Sequence, residues 1–178
     1  RFSSASPKTS SGLFRLSCER MNLELPLLEY EIREELQKSM PSHASLNNPL
    51  DVLGDADENR YRLALEAGLR SNNIDGIIVI LTPQAVTPCD KIAEVVAEFS
   101  GSSKPIIASF MGLEDSSPAI KILKRNRIPN YPFPESAVYT LRSMYDYRLI
   151  LNSPVEEEIP HIEIDEDKIR STLKGARM

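Results

Sequence analysis

Two short segments read as continuously apolar, 77–81 within GIIVIL and 105–110 (PIIASF). A strand covered on both faces has this composition, because neither of its faces meets water. Around these segments the apolar positions recur every three or four residues, the period of a helix with one buried face. Leu28, Ile32, Leu36 and Met40 are spaced by four in LEYEIREELQKSM. Tyr61, Leu65, Gly68 and Leu69 share a face of ENRYRLALEAGLRS, with Asp55 or Asp57 placed to cap it. Ile92, Val95, Val96 and Phe99 do the same in KIAEVVAEFS, where Asp90 is the expected cap. AIKILKRNR predicts a short basic helix. PESAVYTLRSMYDYRLIL predicts a closing one, with Pro134 at its start and Val138, Leu141 and Tyr145 inward. NLELP is a short strand candidate, and IPNYPF an edge strand, since prolines cannot donate to a ladder. This alternation predicts an α/β fold, a flavodoxin-like doubly wound parallel sheet in three αβα layers.

The two ends break the pattern. Residues 1–17 are Ser-rich and basic, with no acid before Glu19. A transit-peptide remnant has this composition, and an altered domain edge explains it more plainly. The chain does not begin with Met, so a processed protein or a piece of a longer one is expected. RFSSA is not an apolar strand, so the first strand of the sheet is expected to be degenerate or missing, which would expose neighbouring edges. The flavodoxin-like domain is expected over 18–150, followed by an acidic linker at 151–161. HIEIDEDKIRSTLKGARM then begins a short strand and a helix, too short to be a domain.

Composition narrows the function. The chain has 178 residues, 41% hydrophobic and 26% charged, enough for one domain with a core. Its net charge of -5 argues against non-specific nucleic-acid binding, which needs clustered Lys and Arg. No apolar run approaches the roughly 18 residues of a membrane span. Cys18 and Cys89 read as reduced thiols of a reducing compartment, so a cytoplasmic location is expected, an organelle being the alternative. His43 and His161 are isolated, and nothing has metal-ligand spacing.

Candidate chemistry sits after the strands. Thr82–Pro88 is a polar, proline-punctuated loop at a strand's carboxyl end, where open α/β sheets bind ligands, and MGLEDSSP is a second such loop. Cys89 at a helix start is a candidate thiolate, although a small hydrophobe there is commoner. His43 reads as an exposed loop histidine rather than a base. Capping and solvation explain Asp51, Asp55, Asp57 and Glu58 as well as metal binding does. There is no Walker motif and no Gly-x-Gly-x-x-Gly among seven glycines. KTSSG (8–12), before Leu13, Leu16 and Cys18, is a candidate helix N-terminus offering N–H groups to an anion. Taken alone, these residues predict a soluble α/β domain with a ligand-type loop and no visible catalytic machinery.

NNPLDVLGDADENRYRLALEAGL, DGIIVILTPQAVT and KPIIASFMG, in this order, resemble the Asn-Pro-Val-Asp, Leu-Thr-Pro-Gln-Ala and Phe-Met-Gly segments of NDP-forming acyl-CoA synthetases. This is the acetate–CoA ligase (ADP-forming) family, related to succinyl-CoA synthetase. The resemblance runs from Cys18 to Arg148, and IPNYPFPESAVYTLRSMYDYR resembles the family's closing segment. IEIDEDKIRSTLKGAR resembles the first helix of its ATP-grasp domain, so 162–178 is expected to start a truncated one. Such enzymes join an acid to CoA at the expense of a nucleoside triphosphate, reversibly, with a histidine carrying the phosphoryl group between sites. The chain resembles the second of their two flavodoxin-like domains, not the one that carries the histidine.

The resemblance implies that Thr82, Pro83, Gln84, Ala85, Val86 and Thr87 form the loop against the acid and the phosphohistidine. It implies that Asn48, Pro49 and Asp51 form a neighbouring loop, with Met111 and Gly112 in a third. Thr9, Ser10, Ser11 and Gly12 fall where the family's phosphate-binding helix begins. That stretch is normally Gly-rich, as in Asn-Ala-Gly-Gly-Pro-Gly, and here it is not. No catalytic residue and no cofactor are expected on this chain alone. CoA, ATP or ADP and Mg are implied for the complete enzyme. The implied partners are a CoA-binding Rossmann domain, the His-carrying domain and the ATP-grasp domain; nucleic acid and membrane are not. Two other readings stand beside this one: a non-catalytic acyl-CoA-sensing module of a protein acetyltransferase, and a ligand-free interaction domain.

Overall fold

The computed structural model describes residues 2–5, 8–154 and 165–176, with side chains described from Gly12 onward. The elements are β1 (Phe2–Ala5), α1 (Lys8–Arg20), α2 (Tyr30–Ser39), α3 (Glu58–Arg70), β2 (Gly76–Leu81), α4 (Cys89–Glu98), β3 (Ile106–Phe110), α5 (Pro118–Arg125), α6 (Pro134–Asn152) and α7 (Glu166–Gly175). By compactness the chain divides between Tyr147 and Arg148, within α6. In the second unit, α7 is capped by Asp165, which accepts from Lys168 N, and Ile169 and Leu173 are exposed.

The described strands form a parallel sheet in the order β1-β2-β3. Every residue of β2 and β3 is buried, as their apolar runs predict. Alternation divides them between two cores. Ile77, Val79, Leu81, Ile106, Ala108 and Phe110 pack against α2–α5, whereas Ile78, Ile80 and Ile107 pack against Phe14 and Cys18 of α1 and Ala137, Val138 and Leu141 of α6. The sheet is therefore the middle of three layers.

The first strand is present and degenerate rather than missing. FSSA aligns Phe2 with Gly76 and Ala5 with Val79. Backbone hydrogen bonding makes this pairing, which needs no apolar side-chain pattern. NLELP forms no strand, although Leu23 is buried in the α1/α6 core. IPNYPF is reduced to a single parallel bridge, Ala108 with Asn130. Ala108 N donates to Pro129 O at 2.8 Å and Tyr131 N to Ala108 O at 3.0 Å; beyond them the Asn130 side chain takes over, accepting from Phe110 N at 2.9 Å.

The starts of α3 and α5 follow their capping side chains, whereas α2, after Glu29, and α4 begin without a side-chain cap. Asp57, not Asp55, caps α3 by accepting from Arg60 N at 3.0 Å. Ser117 caps α5 ahead of Pro118. Asp90 does not cap α4: Pro88 holds that position without a side-chain bond, and Asp90 lies in the first turn, where its charge still favours the helix dipole. On α1 the buried face is Phe14 and Cys18, while Leu13 and Leu16 are exposed. On α6, Val138 and Leu141 point inward but Tyr145 does not; its ring lies 5.4 Å from the Arg142 guanidinium, a cation–π contact at the surface.

Candidate functional site

Because the three strands run parallel, the start of α1 and the loops after β2 and β3 lie at the same end of the sheet. The loop after β2 is a closed polar turn. Gln84 N donates to Thr87 Oγ1 at 2.9 Å, and Thr87 N donates back to Gln84 O at 3.0 Å. These bonds present Gln84, Ala85 and Val86 to solvent, while Thr82, Pro83 and Thr87 are half-buried. The loop after β3 is tied alongside: Met111 N donates to Leu81 O at 2.8 Å, and Thr82 Oγ1 donates to Met111 Sδ at 3.7 Å. Gly112 follows at φ 73, in the left-handed region that suits glycine.

The loop before α3 supplies a second wall and is far more tightly held. Asn48 and Asp51 are buried, and the Asn48–Pro49 peptide bond is cis. Arg15 of α1 donates from Nη2 to Asn48 O at 2.6 Å, and Asn48 Nδ2 donates to Pro26 O at 3.0 Å. Asp51 N donates to Ser45 O at 2.8 Å, and Asp51 Oδ1 accepts from Leu53 N at 2.9 Å, holding Leu53 at φ 72. Arg60 of α3 then clamps the rest. It donates from Nη1 to Val52 O at 3.2 Å and to Asp55 Oδ1 at 2.9 Å, and from Nη2 to Asp55 O at 2.9 Å. The hydrogen bond from Arg60 holds the Asp55 carboxyl below the usual carboxylate range. Gly54, at the tip, lies directly against the Gln84 carboxamide.

The structure thus joins Thr82 to Met111, and Gln84 to the Asn48–Asp55 loop through Gly54. Asn48 is tied to α1 by Arg15. Thr9, Ser10 and Ser11 lie in the opening turns of α1, with side chains outside the described residues, and Gly12 is exposed. Arg15, Gly54 and Arg60 had no signal of function in the sequence beyond the Asp-x-x-Arg spacing of Asp57 and Arg60. Tyr61 was legible only as core: it is buried, with its hydroxyl 3.4 Å from Ile80 O, and burial pushes its phenol pKa up.

Cys89 is not an activated thiolate. Burial, and then the Asp90 charge, push its pKa up rather than down. Cys18 is pushed up to about 12 by burial alone. His43 is exposed, and His161 lies outside the described residues. The four acids serve structure: Asp51 braces a turn, Asp55 pairs with Arg60, Asp57 caps α3, and Glu58 pairs with Lys91 at 3.5 Å. Among the described residues no group of three His, Cys, Asp or Glu could hold a metal. No described helix is long and apolar enough to cross a membrane. A cavity of about 200 Å³ lies at the opposite, amino end of β3, between Phe99, Lys104, Ile106, Arg127 and Met144. The candidate site is instead an open wall.

Residues 7–150 match the model of the Ligase-CoA domain. The chain is 35% identical over 114 residues to a 4-hydroxybutyrate–CoA ligase (ADP-forming) of Nitrosopumilus maritimus, covering 64% of this chain and 16% of that protein. It is 34% identical over 124 residues to the alpha subunit of acetate–CoA ligase (ADP-forming) I of Pyrococcus furiosus, covering 66% of this chain and 27% of that subunit. Among solved structures, a dinucleotide-forming acetyl-coenzyme A synthetase 1 of Ca. Korarchaeum cryptofilum shares the fold. Its TM-score is 0.75 at 24% identity, over 84% of this chain and 33% of that one. The chain therefore spans less than a third of the length of each of these relatives.

Proposed function

Because the chain belongs to the Ligase-CoA domain family, we propose that it is one part of an ADP-forming acyl-CoA ligase and supplies a wall of the acyl site. The complete enzyme would join a carboxylic acid to the CoA thiol as a nucleoside triphosphate is split to diphosphate and phosphate, and would run in reverse. The phosphoryl-carrying histidine, the CoA site and the nucleotide site with its Mg belong to other domains or subunits.

Support comes from one convergence at the carboxyl end of the sheet: the exposed Gln84 of the 82–87 turn stands against the clamped Asn48–Asp55 loop. Gln84 offers a carboxamide with two donors and an acceptor, suited to a carboxyl or acyl oxygen. A helix leaves its first backbone N–H groups without intrahelical partners, and the start of α1 lies at the same end, where an anionic phosphate is favoured. Residues 8–11 are Lys, Thr, Ser and Ser rather than glycines, so the sequence there departs from a Gly-rich phosphate loop. This chain positions and shields, and the reacting bonds form on groups held elsewhere.

The test is an acid:CoA ligase assay on the complete polypeptide or complex that contains this chain, forming acyl-CoA and ADP. Gln84→Ala and Thr87→Ala are expected to lower kcat/KM for the acid by about tenfold each, the worth of one hydrogen bond to a reacting group. Full activity in both variants would leave the chain as a ligand-free interaction domain.

A further inference from the structure

We propose that Gly54 is a positioning residue for Gln84: by carrying no side chain, it sets where the Gln84 carboxamide stands above the end of β2. The inference rests on the acyl-wall function proposed above and adds a second residue to that wall. A Cβ built on Gly54 would lie 2.7 Å from Gln84 Nε2, 3.4 Å from its Cδ and 3.6 Å from its Oε1. The first distance is shorter than real Cβ contacts, so one partner must move.

Gly54 is not the partner that yields. Its loop is pinned by Asp51 Oδ1 on Leu53 N, by Ala56 N on Leu53 O at 3.2 Å, and by the three Arg60 bonds to Val52 O, Asp55 O and Asp55 Oδ1. Nor does the Gln84 backbone yield, because both of its polar groups are engaged by Thr87. What remains soft is the exposed side chain of Gln84, whose torsions move between staggered wells at little cost. Gly54 itself lies outside the left-handed region, so alanine meets no backbone strain there. Gly54→Ala is therefore expected to leave the fold intact and to swing the carboxamide away from its place.

Two measurements test this. In this chain, the Gln84 side-chain amide resonance, assigned by its loss in Gln84→Ala, is expected to shift in Gly54→Ala while the melting temperature stays within a degree or two. An unmoved resonance overturns the inference. If Gly54→Ala melts low, adding Gln84→Ala is expected to restore the melting temperature, since it removes the colliding atoms; failure to restore also overturns it. In the complete ligase, Gly54→Ala is expected to raise KM for the acid or lower its kcat/KM about tenfold, leaving KM for the nucleotide unchanged. The double variant is expected to be no worse than Gln84→Ala alone. If Gln84→Ala is impaired but Gly54→Ala is not, or if the two effects multiply, the positioning role fails and the acyl wall stands. If Gln84→Ala and Thr87→Ala both retain full activity, the acyl wall fails, and the resonance alone decides the placement.

Discussion

The two loops that meet at Gly54 and Gln84 are built in opposite ways. The Asn48–Asp57 loop buries Asn48, Leu50, Asp51, Val52 and Ala56 and is fixed by Asp51 and Arg60. The Thr82–Pro88 loop buries little: Val86 is 80% exposed, and the turn is closed by its own Gln84 and Thr87. One loop is an extension of the core and the other a displayed turn. A wall that contacts ligand needs both, a rigid backing and a face left open to what it binds. The difference also separates two kinds of sensitivity: changes to the buried supports of the backing are expected to cost stability, and changes at the exposed face where Gly54 meets Gln84 to cost function.

Substitutions that break this division are ranked by expected size. Tyr61→Ala removes the buried ring that supports the backing from α3, and is expected to destabilise the chain by about 3–5 kcal/mol in denaturant unfolding. Arg60→Ala leaves Val52 O and Asp55 O without their donor. It is expected to cost about 1–3 kcal/mol, read as a lower melting temperature. In the displayed turn, Val86→Ser is expected to change stability by no more than about 0.5 kcal/mol. A stability loss there as large as that of Arg60→Ala would erase the distinction between the loops.

The smallest effect is electrostatic. Asp55 has its pKa lowered by Arg60, so its contribution is present above the unfolded-state pKa of an aspartate and is lost as pH falls through the lowered folded value. The melting temperatures of wild type and Asp55→Asn should therefore differ at neutral pH and converge only below the ordinary aspartate range. The pair is exposed, so added salt should shrink the difference. A difference that persists undiminished into strong acid would show that the carboxylate charge is not what braces the loop.

What was legible in the sequence follows from how far each signal reaches. β2 and β3 announced themselves because burial on both faces demands apolar residues throughout. The 82–88 loop was visible because Thr, Pro and Gln follow such a strand directly. β1 was not, because FSSA pairs through its backbone and carries no hydrophobic pattern. The helical period misplaces Tyr145 on the inward face of α6 because apolar residues surround that helix: Tyr139, Met144, Tyr145 and Tyr147 are exposed beside buried Val138 and Leu141. A period cannot select a face when both faces are apolar. Asp90 was an adequate cap by type, yet the Thr87–Pro88 turn started the helix two residues too early for it.

By itself, then, the amino-acid order determined the two-sided sheet, the helices that pack on its larger face and the place where the chain leaves β2 as a polar turn. These are consequences of solvent exclusion and of hydrogen bonds between near neighbours, and they act within a few residues. The tertiary structure decided that Gly54 meets Gln84, that Arg15 reaches Asn48, and that Arg60 clamps the loop between them. The Gly54–Gln84 and Arg15–Asn48 contacts join distant parts of the chain. They exist only because α3 packs on β2 and the parallel strands end together, a geometry that no local pattern encodes.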